Sequence, residues 1–309
     1  MSFVPAPALA KIALLVLAGL AAAAALRDTP ARARHDLWLL VIAGTVVLPL
    51  AGLFLPALFF GVPPAWLPFA APPSSSGIAL LALVWVVGAV VTALRLVPGL
   101  VALRRIRRNA MPLARPDARA ALDAARRLTG LARPLTLLVS GDVRVPATWG
   151  VRRPVVALPP SADHWSVERL RLVLLHELLH VRRRDVLVEL LLEAVTIALW
   201  FHPAVWLAAR QLRLERERTC DEAVIDSGAR ASDYCEHLVE IMRSAARGRG
   251  VVVAAGMAAP STLEYRVRAL LDEPLQVRLP RLRLRALVLI AGALAIYALG
   301  ILTPCGHVV

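Results

Sequence analysis

The sequence predicts a mostly α-helical membrane protein, with about four transmembrane helices carrying one cytoplasmic α+β domain that holds a small antiparallel sheet. Three observations lead there. A mean hydropathy of +0.65 and a hydrophobic content of 58% exceed what an ordinary soluble chain of 309 residues carries. Four apolar stretches come near the ~20 residues that a bilayer-crossing helix needs. Between the third and fourth lies a long segment of mixed composition, where β-branched runs alternate with helical patterns.

The first stretch is Ala8–Leu26. Its only early basic residue is Lys11, whereas Arg27, Arg32 and Arg34 follow it. That order predicts an uncleaved anchor with the N-terminus outside, not a removable leader. Leu37–Val62 is the second, long enough to tilt or to break at Pro49 or Pro56. Gly61–Ser76 carries no charge and is rich in proline and serine, as suits an external loop. Gly77–Val97, charged only at Arg95, returns the chain to an arginine-rich side at Arg104, Arg105, Arg107 and Arg108. Arg281, Arg283 and Arg285 then keep the entry of Ala286–Thr303 cytoplasmic and send the C-terminus outside. The expected organisation is a three-helix transmembrane region at 1–110, a cytoplasmic domain with a membrane-associated helical hairpin at 111–280, and a C-terminal transmembrane helix at 281–309. A bacterial-type inner membrane is the expected location.

The formal charge of +14 comes almost entirely from arginine, Lys11 being the sole lysine. Such basicity suits nucleic acid or anionic lipid. Because the arginines sit beside apolar spans, the expected partner is the lipid bilayer, with no direct nucleic acid contact. Cys220, Cys235 and Cys305 form no CxxC spacing and no disulfide framework.

Within the cytoplasmic segment, Pro116–Leu128 has the spacing of a soluble helix. Leu135–Ser140, Val143–Thr148 and Val155–Leu158 read as short strands punctuated by Gly141, Asp142, Gly150 and Pro154. Ser161 or Asp163 is placed to cap a helix through Val167–Arg184. Val186–Arg210 is apolar but interrupted by Glu189, Glu193, His202 and Pro203, and predicts a hairpin turning near His202.

The capped helix carries His176-Glu177-Leu178-Leu179-His180. Histidines at i and i+4 project from one helix face, so both imidazoles can reach one metal ion, with the intervening Glu177 aimed at a water. This is the HExxH arrangement of zinc peptidases, and it makes the domain zincin-like. Zinc (Zn2+) needs a third protein ligand to leave one position open. Glu217 and Asp221 share a helix face, so Glu217 can bind metal while Asp221 accepts a hydrogen bond from a ligand imidazole. A His/His/Cys set using Cys220 is the alternative. Glu177 is the expected general base, and Val155–Leu158 the expected edge strand for an extended substrate. Taken alone, HExxH also arises by chance in helices, and Glu215–Arg218 would be a solvated face of paired charges. His202 reads as a turn residue, Trp200 and Trp206 as interface anchors. His164, His237 and Tyr234 have no spacing that assigns them, and no residue is identified for the oxyanion.

Val145-Pro146-Ala147-Thr148-Trp149-Gly150 and Arg153-Pro154-Val155-Val156-Ala157-Leu158-Pro159 precede HExxH; Asp185, Trp200-Phe201-His202-Pro203 with Trp206, and Glu217 to Asp221 follow it. On these residues the chain resembles the β-lactam-sensor and antirepressor membrane metallopeptidases, over the N-terminal helices and roughly residues 135–226, with a looser echo in Glu264–Leu271. The resemblance implies a site-specific, membrane-anchored zinc endopeptidase acting in signal transduction. Its protein substrate would be a cytoplasmic transcriptional repressor, itself, or both. After the last span only Pro304–Val309 remains, so an external penicillin-binding sensor domain is not expected, and a signal would arrive through the spans, a homodimer or a sensor partner. Two competing readings are a quality-control membrane metalloprotease and a non-catalytic transducer that binds a repressor without cutting it.

Overall fold

Long apolar runs must satisfy their backbone hydrogen bonds locally, and the N-terminal segments do so as helices. The computed structural model describes residues 5–54, 75–113, 115–247 and 260–271. The far end of the second expected span, nearly all of the Gly61–Ser76 loop, Arg281–Arg285, the Ala286–Thr303 span and Cys305 lie outside the described residues. The chain divides into two units, one of residues 1–94, 192–215 and 275–309, the other of residues 95–191 and 216–274.

In the first unit α1 (Pro5–Ala25) and α2 (Ala31–Phe54) pack as a hairpin. Ile12, Leu15 and Val16 are buried, as are Trp38, Val41 and Ile42. A Cβ at Gly44 would lie 2.6 Å from Leu15 Cδ2, so glycine there sets how closely the helices approach. Arg34 closes the turn by donating to the carbonyls of Leu26, Arg27 and Thr29 at the C-terminal end of α1, where cations are favoured. On α3 (Ser75–Leu94), Leu80, Leu81, Leu83 and Val87 are exposed. Among the described residues one helical run, Ser76–Asn109, is long and apolar enough to cross a membrane; Lys11–Ala25 forms a shorter apolar helix.

The expected hairpin is present as α7 (Asp185–Ala198) and α8 (Pro203–Asp226), turning through Leu199–His202. Its turn is held by tryptophans. Trp85 Nε1 donates to Ala198 O at 2.9 Å, Trp200 Nε1 to Trp85 O at 3.2 Å, and Trp206 Nε1 to Trp200 O at 2.8 Å. Trp200 lies so close to Gly88 that no side chain fits there. His202 is a turn residue as expected, with Nε2 3.1 Å from Leu9 O.

The second unit contains α4 (Val97–Asn109), α5 (Pro116–Thr129), α6 (Val167–Arg183), α9 (Ala231–Arg247) and α10 (Pro260–Leu271), together with a four-stranded sheet. The strands β1 (Met111–Pro112), β2 (Thr136–Val139), β3 (Ala147–Trp149) and β4 (Val155–Leu158) stand in the order β1-β2-β4-β3. Helix α6 is buried along most of its length, its Leu170, Leu174 and Leu178 sharing a core with Ala118, Ala121 and Ala125 of α5 and with Val156 and Leu158 of β4.

Four sequence expectations are corrected here. The sheet is mixed, not antiparallel: β4 runs antiparallel to β3 but parallel to β2, with Thr136 to Val139 aligned on Val155 to Leu158. The chain crosses beyond β4 to lay β3 at the margin, and the β3–β4 hairpin brings β4 back in the direction of β2. As a result β4 is an interior strand, and β3 is the edge strand beside it. The expected strand Val143–Thr148 begins only at Ala147, because Val143 N turns back to Ser140 O and Pro146 has no N–H to give a ladder. Neither Ser161 nor Asp163 caps α6. Both are taken up in a 3-10 turn, Pro160–His164, started by a proline pair, and Ser166 caps the helix by accepting from Arg169 N at 3.1 Å.

Candidate metal centre

Helix α6 ends where its chemistry begins. Arg184 adopts a left-handed conformation, φ 58° and ψ 38°, and its N–H caps the carbonyls of His180 and Val181. It is the only non-glycine residue with positive φ among those described. Such backbone costs about 1 kcal/mol or more and persists where surrounding contacts demand it. Here the break lets Asp185, first residue of α7, fold back so that its Oδ2 lies 2.7 Å from His180 Nδ1.

Both imidazoles are held from behind. His180 has Nδ1 on Asp185, and His176 has Nδ1 3.2 Å from Asp221 Oδ1. With those nitrogens facing carboxylates, the network assigns each ring its proton on Nδ1 and leaves both Nε2 lone pairs forward. The two Nε2 atoms lie 3.2 Å apart, and Glu217 Oε2 stands 3.6 Å from one and 3.8 Å from the other. Glu217 Oε2 is buried without a hydrogen-bond donor. With the Nδ1 protons placed so, three acceptor atoms converge on one point, and a proton or a divalent cation there relieves their mutual repulsion. The residues fit a metal ion: one atom each from His176, His180 and Glu217 lies within 4.8 Å of the others.

The electrostatics point the same way. Burial lowers the basicity of His176, but the carboxylates of Asp221 and Glu217 beside it outweigh that and raise its pKa to about 9. Burial would raise Glu217, yet His180, His176, Arg216 and Arg266 together hold it well below the usual carboxylate range. Asp221 is likewise lowered against burial, chiefly by Arg266 and His176. A positive charge between the rings is what this surrounding favours.

Glu177 is buried, and its Oε2 accepts a hydrogen bond from Thr148 Oγ1 at 2.6 Å. Thr148 lies on β3, so the edge strand and the HExxH glutamate are directly joined. Cys220 lies 3.5 Å from His180 Nδ1. It therefore approaches the ring on the side already taken by Asp185, away from the converging Nε2 atoms, and the grouping of His180, Asp185 and Cys220 reuses that same face. Tyr234, unassigned from sequence, is also behind the rings: its hydroxyl donates to Asp221 Oδ1 at 2.8 Å and lies 3.1 Å from His176 Nδ1. That position suits orientation of His176, not contact with a reacting carbonyl. His237 meets Arg169 Nε at 3.2 Å, outside this cluster.

Asp185, Thr148, Tyr234 and Arg266 had no role from spacing. Asp185 is five residues beyond His180 and would face elsewhere on an unbroken helix. Only the helix break at Arg184 carries a signal, and arginine is not a residue that announces it.

A family model described as the BlaR1 peptidase M56 matches residues 64–270. The regulatory protein BlaR1 of Bacillus licheniformis is 29% identical over 142 residues, which are 46% of this chain and 24% of that protein. The methicillin resistance mecR1 protein of Staphylococcus aureus is 24% identical over 92 residues, 29% of this chain and 16% of that protein, and its Staphylococcus epidermidis counterpart matches equally. The aligned part of the chain thus spans a quarter or less of the length of these relatives.

Proposed function

Because this chain belongs to the BlaR1 peptidase M56 family, we propose that it is a membrane-anchored zinc endopeptidase of signal transduction. In this reading His176, His180 and Glu217 hold the ion, Asp185 and Asp221 orient the two imidazoles, and Glu177 is the general base. The observation that carries it is the convergence of two imidazole Nε2 atoms on a buried carboxylate oxygen that has no donor of its own.

A zinc ion held there supplies Lewis acidity, polarising a peptide carbonyl and acidifying water. Glu177, with one oxygen held by Thr148, uses the other to take a proton from the attacking water and return it to the leaving amine. The outer edge of β3, not the interior strand β4, is where an extended segment of substrate adds by backbone hydrogen bonds. That edge is joined to Glu177 through Thr148, so a segment added there would carry its scissile bond close to the base.

The proposed substrate is a cytoplasmic protein, a transcriptional repressor or the chain itself. This rests on the family and on the regulatory function in the name of the Bacillus licheniformis relative. The proposed setting is a bacterial-type inner membrane crossed about four times, with both termini outside and the peptidase unit in the cytoplasm. The test compares cells carrying wild-type protein with cells carrying Glu177→Gln. One protein fragment should depend on Glu177 while the purified variant keeps stoichiometric zinc; an unchanged fragment pattern would exclude the mechanism.

A further inference from the structure

Asp221 is the meeting point of four helices. His176 reaches it from α6, Tyr234 from α9 and Arg266 from α10, while Asp221 itself belongs to α8. Arg266 is 5% exposed and grips the carboxylate with two parallel bonds, Nε to Oδ2 at 2.8 Å and Nη2 to Oδ1 at 2.7 Å. Its remaining nitrogen, Nη1, lies 3.8 Å from Glu217 Oε2. One guanidinium therefore touches both carboxylates of the ExxxD pair. A forked, bidentate contact of this kind fixes the plane of a carboxylate, which a single ammonium does not.

We infer that Arg266 is a positioning residue of the metal centre: it locks Asp221, and through it His176, so that the grip on the ion depends on α10 being docked. The inference rests on the zinc reading of His176, His180 and Glu217 given above. The physical reason is geometric. Asp221 Oδ1 receives donors from His176, Tyr234 and Arg266, and without the guanidinium its carboxylate can rotate about its last bond. His176 would then lose the fixed partner behind Nδ1 that keeps Nε2 aimed forward. A carboxylate behind a ligand imidazole, as Asp221 is behind His176, commonly contributes about 10–100-fold to metal affinity, and Arg266 acts through it. Helix α10 has an anchor of its own, since Arg218 Nη1 donates to Tyr265 OH at 3.1 Å and lies over that ring. Arg266 is therefore not needed merely to attach the helix.

The test measures zinc dissociation by chelator competition on the full-length, detergent-solubilised protein, beside its thermal unfolding. Arg266→Gln should weaken zinc binding by about 10–100-fold, and Arg266→Lys, which keeps the charge but not the fork, should recover only part of it. Tyr234→Phe, which removes another donor to the same Asp221 oxygen, should weaken binding several-fold. Arg268→Gln, on the exposed face of the same helix, should leave affinity unchanged. Wild-type zinc affinity in Arg266→Gln, or in Arg266→Lys should the glutamine variant not fold, even with a lowered melting temperature, would reduce Arg266 to a structural ion pair and overturn the inference. Wild-type protein that binds no zinc at all would instead remove the peptidase reading, and this inference with it.

Discussion

Glu215 and Glu217 stand two residues apart on α8, both nearly solvent-free at 4% and 2% exposure, and they do opposite work. In the helical unit, Glu215 meets Arg34 at 3.0 Å, and that guanidinium also caps the end of α1. Its charge is matched by a fixed opposite charge. In the mixed unit, Glu217 Oε2 faces two imidazole Nε2 atoms at 3.6 and 3.8 Å, with Arg266 Nη1 also 3.8 Å away. Two residues along a helix is about 200° of rotation, so adjacent glutamates look into different surroundings. What separates a structural carboxylate from a metal-seeking one is therefore not burial. It is whether two imidazole nitrogens that can share an ion stand opposite.

The largest expected effect breaks this contrast outright. Glu217→Ala should take zinc from one equivalent to none by metal analysis of the purified protein, whereas Glu215→Gln should keep it. Equal zinc content in the two variants would erase the distinction. Next in size, Arg34→Ala removes the buried cation at Glu215 together with the donors to the carbonyls of Leu26, Arg27 and Thr29, and should cost about 3–5 kcal/mol in thermal or denaturant unfolding. Replacing the pair together, as Arg34→Met with Glu215→Leu, should restore much of that stability, and zinc should stay bound throughout. A smaller effect sharpens the picture on the catalytic side. Thr148→Val removes the hydroxyl that holds Glu177 and should lower kcat about tenfold, about 1.4 kcal/mol of barrier, with KM little changed. A change confined to KM would instead assign Thr148 to substrate binding.

Much of the fold was readable because it is local. The helical spacing of Pro116–Leu128 corresponds to α5, the run Val155–Leu158 to β4, and the break around His202 to the turn between α7 and α8. Less readable was anything that required partners. Val155–Leu158 looks the same in sequence whether it is an edge or an interior strand; the pairing with β2 and β3 decides it. The caps of α6 show both limits. Ser161, Asp163 and Ser166 are all competent cap residues, and only the 3-10 turn at Pro160–His164 selects Ser166. In Leu214–Cys220 the alternation of glutamate and arginine resembles a solvated charged face, yet two of its carboxylates are buried.

By itself the sequence determined that His176 and His180 share a helix face with Glu177 between them, since a four-residue spacing and a 3.6-residue turn leave no freedom. It also determined the abundance of apolar helix and the alignment of Glu217 with Asp221 one turn on. Tertiary structure alone decided which groups stand behind those side chains: Asp185 through a left-handed arginine, Thr148 from a strand margin, Tyr234 and Arg266 from two later helices. The division has a simple physical origin. Periodicity aims neighbouring side chains along one element, but the contacts that hold a donor or an acceptor in place are made between elements distant in the chain, and only packing brings those together.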